Sequence, residues 1–371
     1  MTGNKLIKYL EDWAPPGAGW ERDNTGFQLG SGGEKIRNVF LCLELNEKAL
    51  TEATKKNCNF IFTHHPLIYK PISRIDTENN QTAKIIQKTI KKDITVYSAH
   101  TNLDFAKDGV SFELAKVVGL KNVEFLVAES KNQYKLVVFV PGDKLELVSN
   151  AIFDAGGGVI GEYSKCSYRL SGEGTFEGST TSKPAVGTKE KFETVNEKRL
   201  EVLVDSWNLN KVVDKMIKSH PYEEPAYDIY QLNNKNPNFG EGVIGDLEKS
   251  LTVNEFLKFI GEKLKISSFR FNKGKAGKVK RVAVCGGSGS NNYKDAIRAG
   301  ADAFLTADIK YHTFQDAENK IMLVDAGHYE TEIFVLNSVK RKIEDFLKTE
   351  NEKIKVFKYS GSTNPVRIYN L

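Results

Sequence analysis

The chain has 371 residues, with 53 Lys and Arg against 48 Asp and Glu, a length that allows two or three domains each burying its own core. Its net charge of +5 is spread along the chain rather than gathered into a basic arm, so nucleic-acid binding is not signalled. No run approaches the roughly 20 apolar residues that a membrane span needs.

Met1 to Trp20 reads as an amphipathic helix (Leu6, Ile7, Leu10, Trp13) followed by Pro15-Pro16-Gly17, without the apolar core and cleavage site of a signal peptide. Asn38 to Leu45 is a short, nearly continuous apolar run. A helix-compatible Asn46 to Lys56 follows it, then a second run, Asn59 to Thr63. A helical Thr82 to Lys92, a third run, Ile94 to Ala99, and a helical Ser111 to Val118 complete the pattern. Short apolar runs alternating with helices imply βαβ units and a mainly parallel sheet covered on both faces. The alternation returns at Arg281 to Cys285, Ala303 to Thr306 and Ile321 to Asp325, before a long helix from about Tyr329 to Phe346. The expected class is therefore α/β, with halves over 1–130 and 235–371 forming one core.

Between them the order changes to strand (Tyr134 to Val140), helix (Leu145 to Asp154), strand (Ser164 to Gly172), a Gly/Ser/Thr/Lys-rich stretch, strand (Arg199 to Val204), helix (Asn210 to Lys218) and strand (Ala226 to Leu232). That order is close to the βαββαβ, ferredoxin-like unit. Polar segments flank it, Glu129 to Gln133 and Asn233 to Asn238, so 131–234 reads as a domain inserted into a surface connection. The four cysteines, Cys42, Cys58, Cys166 and Cys285, are scattered without a CxxC pair, as expected of reduced thiols in a cytoplasmic protein.

The chemistry gathers at strand ends. His64 and His65, in Phe62-Thr63-His64-His65-Pro66, come directly after one expected strand, and His100-Thr101-Asn102-Leu103-Asp104 directly after the next. Loops leaving the carboxyl ends of parallel strands are where α/β sheets build sites. An isolated HH pair reads better as two partly exposed loop histidines without a role. Gly327-His328-Tyr329-Glu330-Thr331-Glu332 follows the last strand, placing His328 and Glu332 on one helical face with Cβ atoms about 6 Å apart. Together, three histidines and two carboxylates suit borderline divalent cations such as zinc, iron or manganese. Five such ligands are about enough for two ions about 3.5 Å apart. His100 and His312 are candidates for proton transfer or for orienting a ligand, or else ordinary hydrogen-bonding side chains. Cys285-Gly286-Gly287-Ser288-Gly289-Ser290 is a Gly-rich turn without the lysine of a P-loop, and reads as a tight turn rather than a phosphate cradle. His220-Pro221-Tyr222-Glu223-Glu224-Pro225, with prolines on both sides, reads as a rigid solvated loop.

FTHHPLIY, HTNLD and GHYETE, with Asp23-Asn24-Thr25-Gly26-Phe27-Gln28-Leu29-Gly30 near the start, resemble the dinuclear-metal family of GTP cyclohydrolase 1 type 2 homologues, also called NGG-interacting-factor-three-like proteins. The resemblance covers both α/β halves, and the inserted unit is similar to the signal-protein-PII or CutA-like domain of the longer bacterial members. It implies that His64, His65, Asp104, His328 and Glu332 hold two divalent ions, and that the chain assembles as a toroidal homohexamer. It also implies cyclohydrolase-like or other metal-dependent hydrolysis, with a non-catalytic metal-binding scaffold as the alternative. Ala307 stands where the family commonly has a glycine, and Thr25 and Phe27 where Val and Leu are usual; none of these removes a ligand.

Overall fold

The computed structural model describes residues 1–275 and 277–369, which divide into two compact units. The first comprises Met1–Val127 and Phe239–Leu371; the second is Ala128–Asn238.

In the first unit, the apolar runs read as strands are strands. Asn38–Cys42, Phe60–Thr63 and Thr95–Ser98 lie parallel and side by side, Gly26–Leu29 adds an antiparallel edge, and Lys355–Lys358 pairs in parallel with Asn38–Cys42 at the other edge. All residues of Phe60–Thr63 and Thr95–Ser98 are buried, as expected of central parallel strands covered on both faces. Asn46 and Asn80 cap the covering helices Glu47–Lys55 and Gln81–Ile90 by accepting the Ala49 and Ala83 amides, each at 2.9 Å.

A second sheet runs in the order Arg270–Phe271, Met322–Asp325, Ala303–Thr306, Lys278–Val284, Lys235–Thr252, Lys121–Ser130. Its three middle members, 278–284, 303–306 and 322–325, are parallel. Each sheet takes one strand from the other half of the sequence: Lys355–Lys358 completes the first and Lys121–Ser130 the second. The long C-terminal helix is two helices, His328–Glu332 and Val335–Thr349. The second is fastened by an Arg341–Glu113 ion pair, with contacts of 3.2 and 2.6 Å, to the helix Val110–Val118, which stops at Gly119 in the left-handed region, φ 80°.

In the second unit, Gln133–Pro141, Tyr168–Glu177, Phe192–Asp205 and Tyr227–Leu232 form one antiparallel sheet, with Leu145–Asp154 and Ser206–Ser219 as its helices. The strand order is 168–177, 192–205, 133–141, 227–232. Leu136, Val138, Val140, Leu200 and Val202 face the helix side chains Val148, Ile152, Val212 and Met216 in a closed core, which places both helices of this unit on one face of its sheet.

Candidate metal centre

The two adjacent histidines converge because the chain stops being a strand where they occur. The amides of His64 and His65 both donate to the Leu43 carbonyl, at 3.1 and 2.9 Å, which turns the backbone and releases the side chains from the alternation a strand would impose. Their ring centroids lie 4.9 Å apart. The neighbouring strand Thr95–Ser98 leads through His100 into the short helix Thr101–Phe105, which carries Asp104. Met322–Asp325 leads through Gly327 (φ 92°) into His328–Glu332. All three segments leave the carboxyl ends of parallel strands.

Glu332 sits at the centre. One carboxylate oxygen is 3.0 Å from His328 Nε2 and 3.6 Å from His64 Nε2; the other is 3.1 Å from His65 Nε2. Asp104 Oδ1 is 3.6 Å from His64 Nε2. His64 Nε2 and Asp104 Oδ1 are buried without a hydrogen-bond partner. Buried polar atoms are normally satisfied, so two orphans collected beside the Glu332 carboxylate form a donor set that could hold a cation.

The remaining nitrogens reinforce this. His64 Nδ1–H donates to the Ala99 carbonyl at 2.8 Å, His65 Nδ1–H to Glu44 at 2.8 Å, His100 Nδ1–H to Asp23 at 2.8 Å, and His328 Nδ1–H to Asp308 at 2.6 Å. Each anchor orients its ring and leaves Nε2 for the centre, the arrangement typical of metal-ligating imidazoles. His64, His65 and His100 form one group able to hold an ion, and His65, His328 and Glu332 another.

The same contacts set the titration of these groups. Burial would lower the His65 pKa, but its hydrogen bonds to Glu332 and Glu44 outweigh this and hold it at about 10. The Glu332 hydrogen bond raises His328 to about 9 against its burial. Both rings then donate from both nitrogens, which explains the close Nε2–carboxylate approaches. His64, fully buried, is pushed down by desolvation. Asp104 is raised by burial and by the neighbouring Glu332 charge. Burial would raise Glu332 as well, but His64, His328 and His65 hold it well below the usual carboxylate range. Burial works against Asp23 too, yet hydrogen bonds from His100 and Thr101 lower it to about 2.

The centre floors a cavity of about 680 Å³. Trp20, Tyr69 and Phe105 line one part of it; Glu241 and Asn292, joined by a 2.8 Å hydrogen bond, line another. His100 borders it, whereas His312 is exposed on the helix Tyr311–Ala317, within 3.4 Å of Gln315, and is not among the lining residues. The Gly-rich turn packs against His328 and Glu332, with its three glycine amides already spent: Gly286 on Ser111, Gly287 on Thr331 and Gly289 on Thr306. Gly287 adopts φ 63°, and a Cβ there would run into the Glu332 carboxylate and lie 3.4 Å from His328 Nε2. Glu44 was not singled out from the sequence; its signal was a carboxylate closing an apolar run, Asn38 to Leu45. Asp23 opens the Asp23 to Gly30 segment and Asp308 follows Ala307, but neither carried a role in the sequence reading.

The family model described as Duf34/NIF3 (NGG1p interacting factor 3) matches residues 1–365. The chain is 38% identical over 366 residues to the GTP cyclohydrolase 1 type 2 homolog of Halalkalibacterium halodurans, and 36% identical over 367 residues to that of Bacillus subtilis; each match covers 98% of both chains. Among solved structures it is similar to a Bacillus cereus protein related to NIF3, with a TM-score of 0.81 and 34% identity over 100% of this chain and 99% of that one. A Staphylococcus aureus protein matches with a TM-score of 0.78 and 28% identity over the same shares.

Proposed function

The chain belongs to the Duf34/NIF3 family, and from that premise we propose that it holds two divalent metal ions and uses them in hydrolysis. The reading is carried by the two buried, unpartnered ligand atoms of His64 and Asp104 beside the buried Glu332 carboxylate, among imidazoles whose other nitrogens are all tied outward. His64 and Asp104 would serve one ion, His65 and His328 the other, with Glu332 reaching both. Zinc, iron and manganese all suit this donor set. Bound there, such ions supply Lewis acidity and a water nucleophile usable at neutral pH.

The chain's own residues do the rest. His100, its Nδ1–H fixed by Asp23, keeps Nε2 available beside the cavity to take or return a proton. Trp20, Tyr69 and Phe105 offer an apolar wall that shields part of a substrate from water. A phosphoester, an amide or a purine imidazole ring fits this chemistry, the last being what the relatives' name implies.

Metal analysis of the purified chain is expected to give about two equivalents, falling sharply in His64→Ala and Glu332→Ala. Absence of bound metal under reducing, chelator-free conditions would refute the reading. Turnover of GTP or of a phosphoester panel, abolished by the same substitutions, identifies the enzyme; stoichiometric metal without turnover of any of them identifies a metal-binding scaffold instead.

We extend the proposal to assembly and architecture. A homohexamer would show the mass of six 41.5 kDa chains in light scattering, and a monomeric mass would exclude it. The strand order and antiparallel directions of Ala128–Asn238 support a ferredoxin-like insert. No helix among the described residues is long and apolar enough to cross a membrane, and all four cysteines are free, which supports a cytoplasmic location.

A further inference from the structure

The second unit contains a cavity of its own, about 590 Å³, on the sheet face that the helices leave open. That volume is within the range of small-molecule sites. Its floor alternates with the core: Phe139, Leu170, Phe176, Glu197 and Arg199 line the cavity while their strand neighbours Val138, Val140 and Leu200 are buried on the other side.

The loop His220 to Pro225 builds its wall. His220, 8% exposed, has both nitrogens engaged: Nε2–H donates to the Phe139 carbonyl at 3.0 Å, and Nδ1 accepts the Tyr222 amide at 3.1 Å. It thereby braces two of the three aromatic residues of the cavity. The third, Phe176, has its ring centroid 6.4 Å from that of Tyr222. Tyr222 O–H donates to Glu197 at 2.9 Å, and the Lys183 amide donates to Glu223 at 3.0 Å, tying the two rim loops together.

The charges have one sign in excess. Glu173, Glu197, Glu223 and Glu224 line the cavity against Arg199 and Lys183. Arg199 is already paired with Glu201 at 3.0 Å, and its guanidinium lies 5.9 Å from the centre of the Phe139 ring, so one cation already rests on an aromatic face here. An anion would meet four carboxylates and a single uncommitted cationic side chain, Lys183. A cation would meet aromatic faces and carboxylates, the pairing by which ammonium groups are recognised.

We propose that this cavity is a binding site for a small organic cation, an ammonium or quaternary ammonium group on an apolar body, held by the rings of Phe176 and Tyr222 and the Glu197 carboxylate. The site lies within 139–226 and does not depend on the metal centre.

The test uses the full chain with a chelator present and two probes of similar size and opposite charge, benzyltrimethylammonium and phenylpropionate, titrated by ligand-observed NMR. The cation is expected to bind saturably with a Kd of about 1 mM or tighter, at least about tenfold more tightly than the anion. Glu197→Gln keeps an acceptor for Tyr222 and removes only the charge; it is expected to weaken cation binding about tenfold, and Phe176→Ala by a similar factor. Equal binding of the two probes, no saturable cation binding, or unchanged affinity in folded Glu197→Gln would overturn the proposal. Should either variant fail to fold, the comparison of the two probes on the unmodified chain decides it alone.

Discussion

Gly287→Ala separates a steric role from a bystander role at the centre of the site. Gly287 sits at φ 63°, a conformation that costs an L-residue with a side chain about 1–2 kcal/mol. Independently, the added Cβ would meet the Glu332 carboxylate, which lies in contact with His64, His65 and His328. Because Glu332 is almost fully buried, it cannot swing into solvent and must shift within the donor set. Thermal unfolding of the chelated protein is expected to register at least the backbone term of about 1–2 kcal/mol, with the displacement of Glu332 from its histidine partners adding to it. Competition with a metallochromic indicator is expected to show affinity for at least one ion lowered about 10- to 100-fold, the range seen when groups supporting a metal ligand are disturbed. A folded Gly287→Ala protein with unaltered metal affinity would refute the claim that this turn holds Glu332 in place.

In the metal-free chain His65 and His328 titrate at about 10 and about 9, above the ordinary histidine value. A group whose folded pKa is raised stabilises the fold fully below its unfolded value, so this contribution should be present at pH 6 and be lost as pH rises through about 9 to 10. Thermal unfolding of the chelated protein from pH 6 to 10 should therefore show falling stability, and a rise over that range would contradict it. The same protons compete with metal, so apparent affinity should increase over the same range, and a titration showing the reverse would count against both histidines as ligands. His100→Ala is expected to retain near-full metal content while lowering turnover of whichever substrate is hydrolysed by about 10²- to 10⁴-fold, whereas His312→Ala should alter neither. Activity loss in His312→Ala alone would reverse those roles.

Much of this molecule is legible in one dimension. The runs at 38–42, 60–63, 95–98, 303–306 and 322–325 are apolar without alternation because both faces of each strand are covered, and that pattern is local. Ligand-type residues directly after three of those runs mark the strand-end loops, and His328 and Glu332 share a face because a single helical turn brings them together. Distances across the fold have no such local trace. That Lys355–Lys358 completes a sheet begun at Asn38, or that two residues break the helix after Glu332, follows from pairing and packing partners far away in sequence. The same holds for the anchors. Glu44, Asp23 and Asp308 become partners of His65, His100 and His328 only once separate strand ends meet, and His312, a candidate alongside His100, is left outside. The sequence by itself determined which residue types and which loops could carry the chemistry. Tertiary structure alone decided which nitrogens face inward, because ring orientation depends on hydrogen bonds between residues 20 to 80 positions apart.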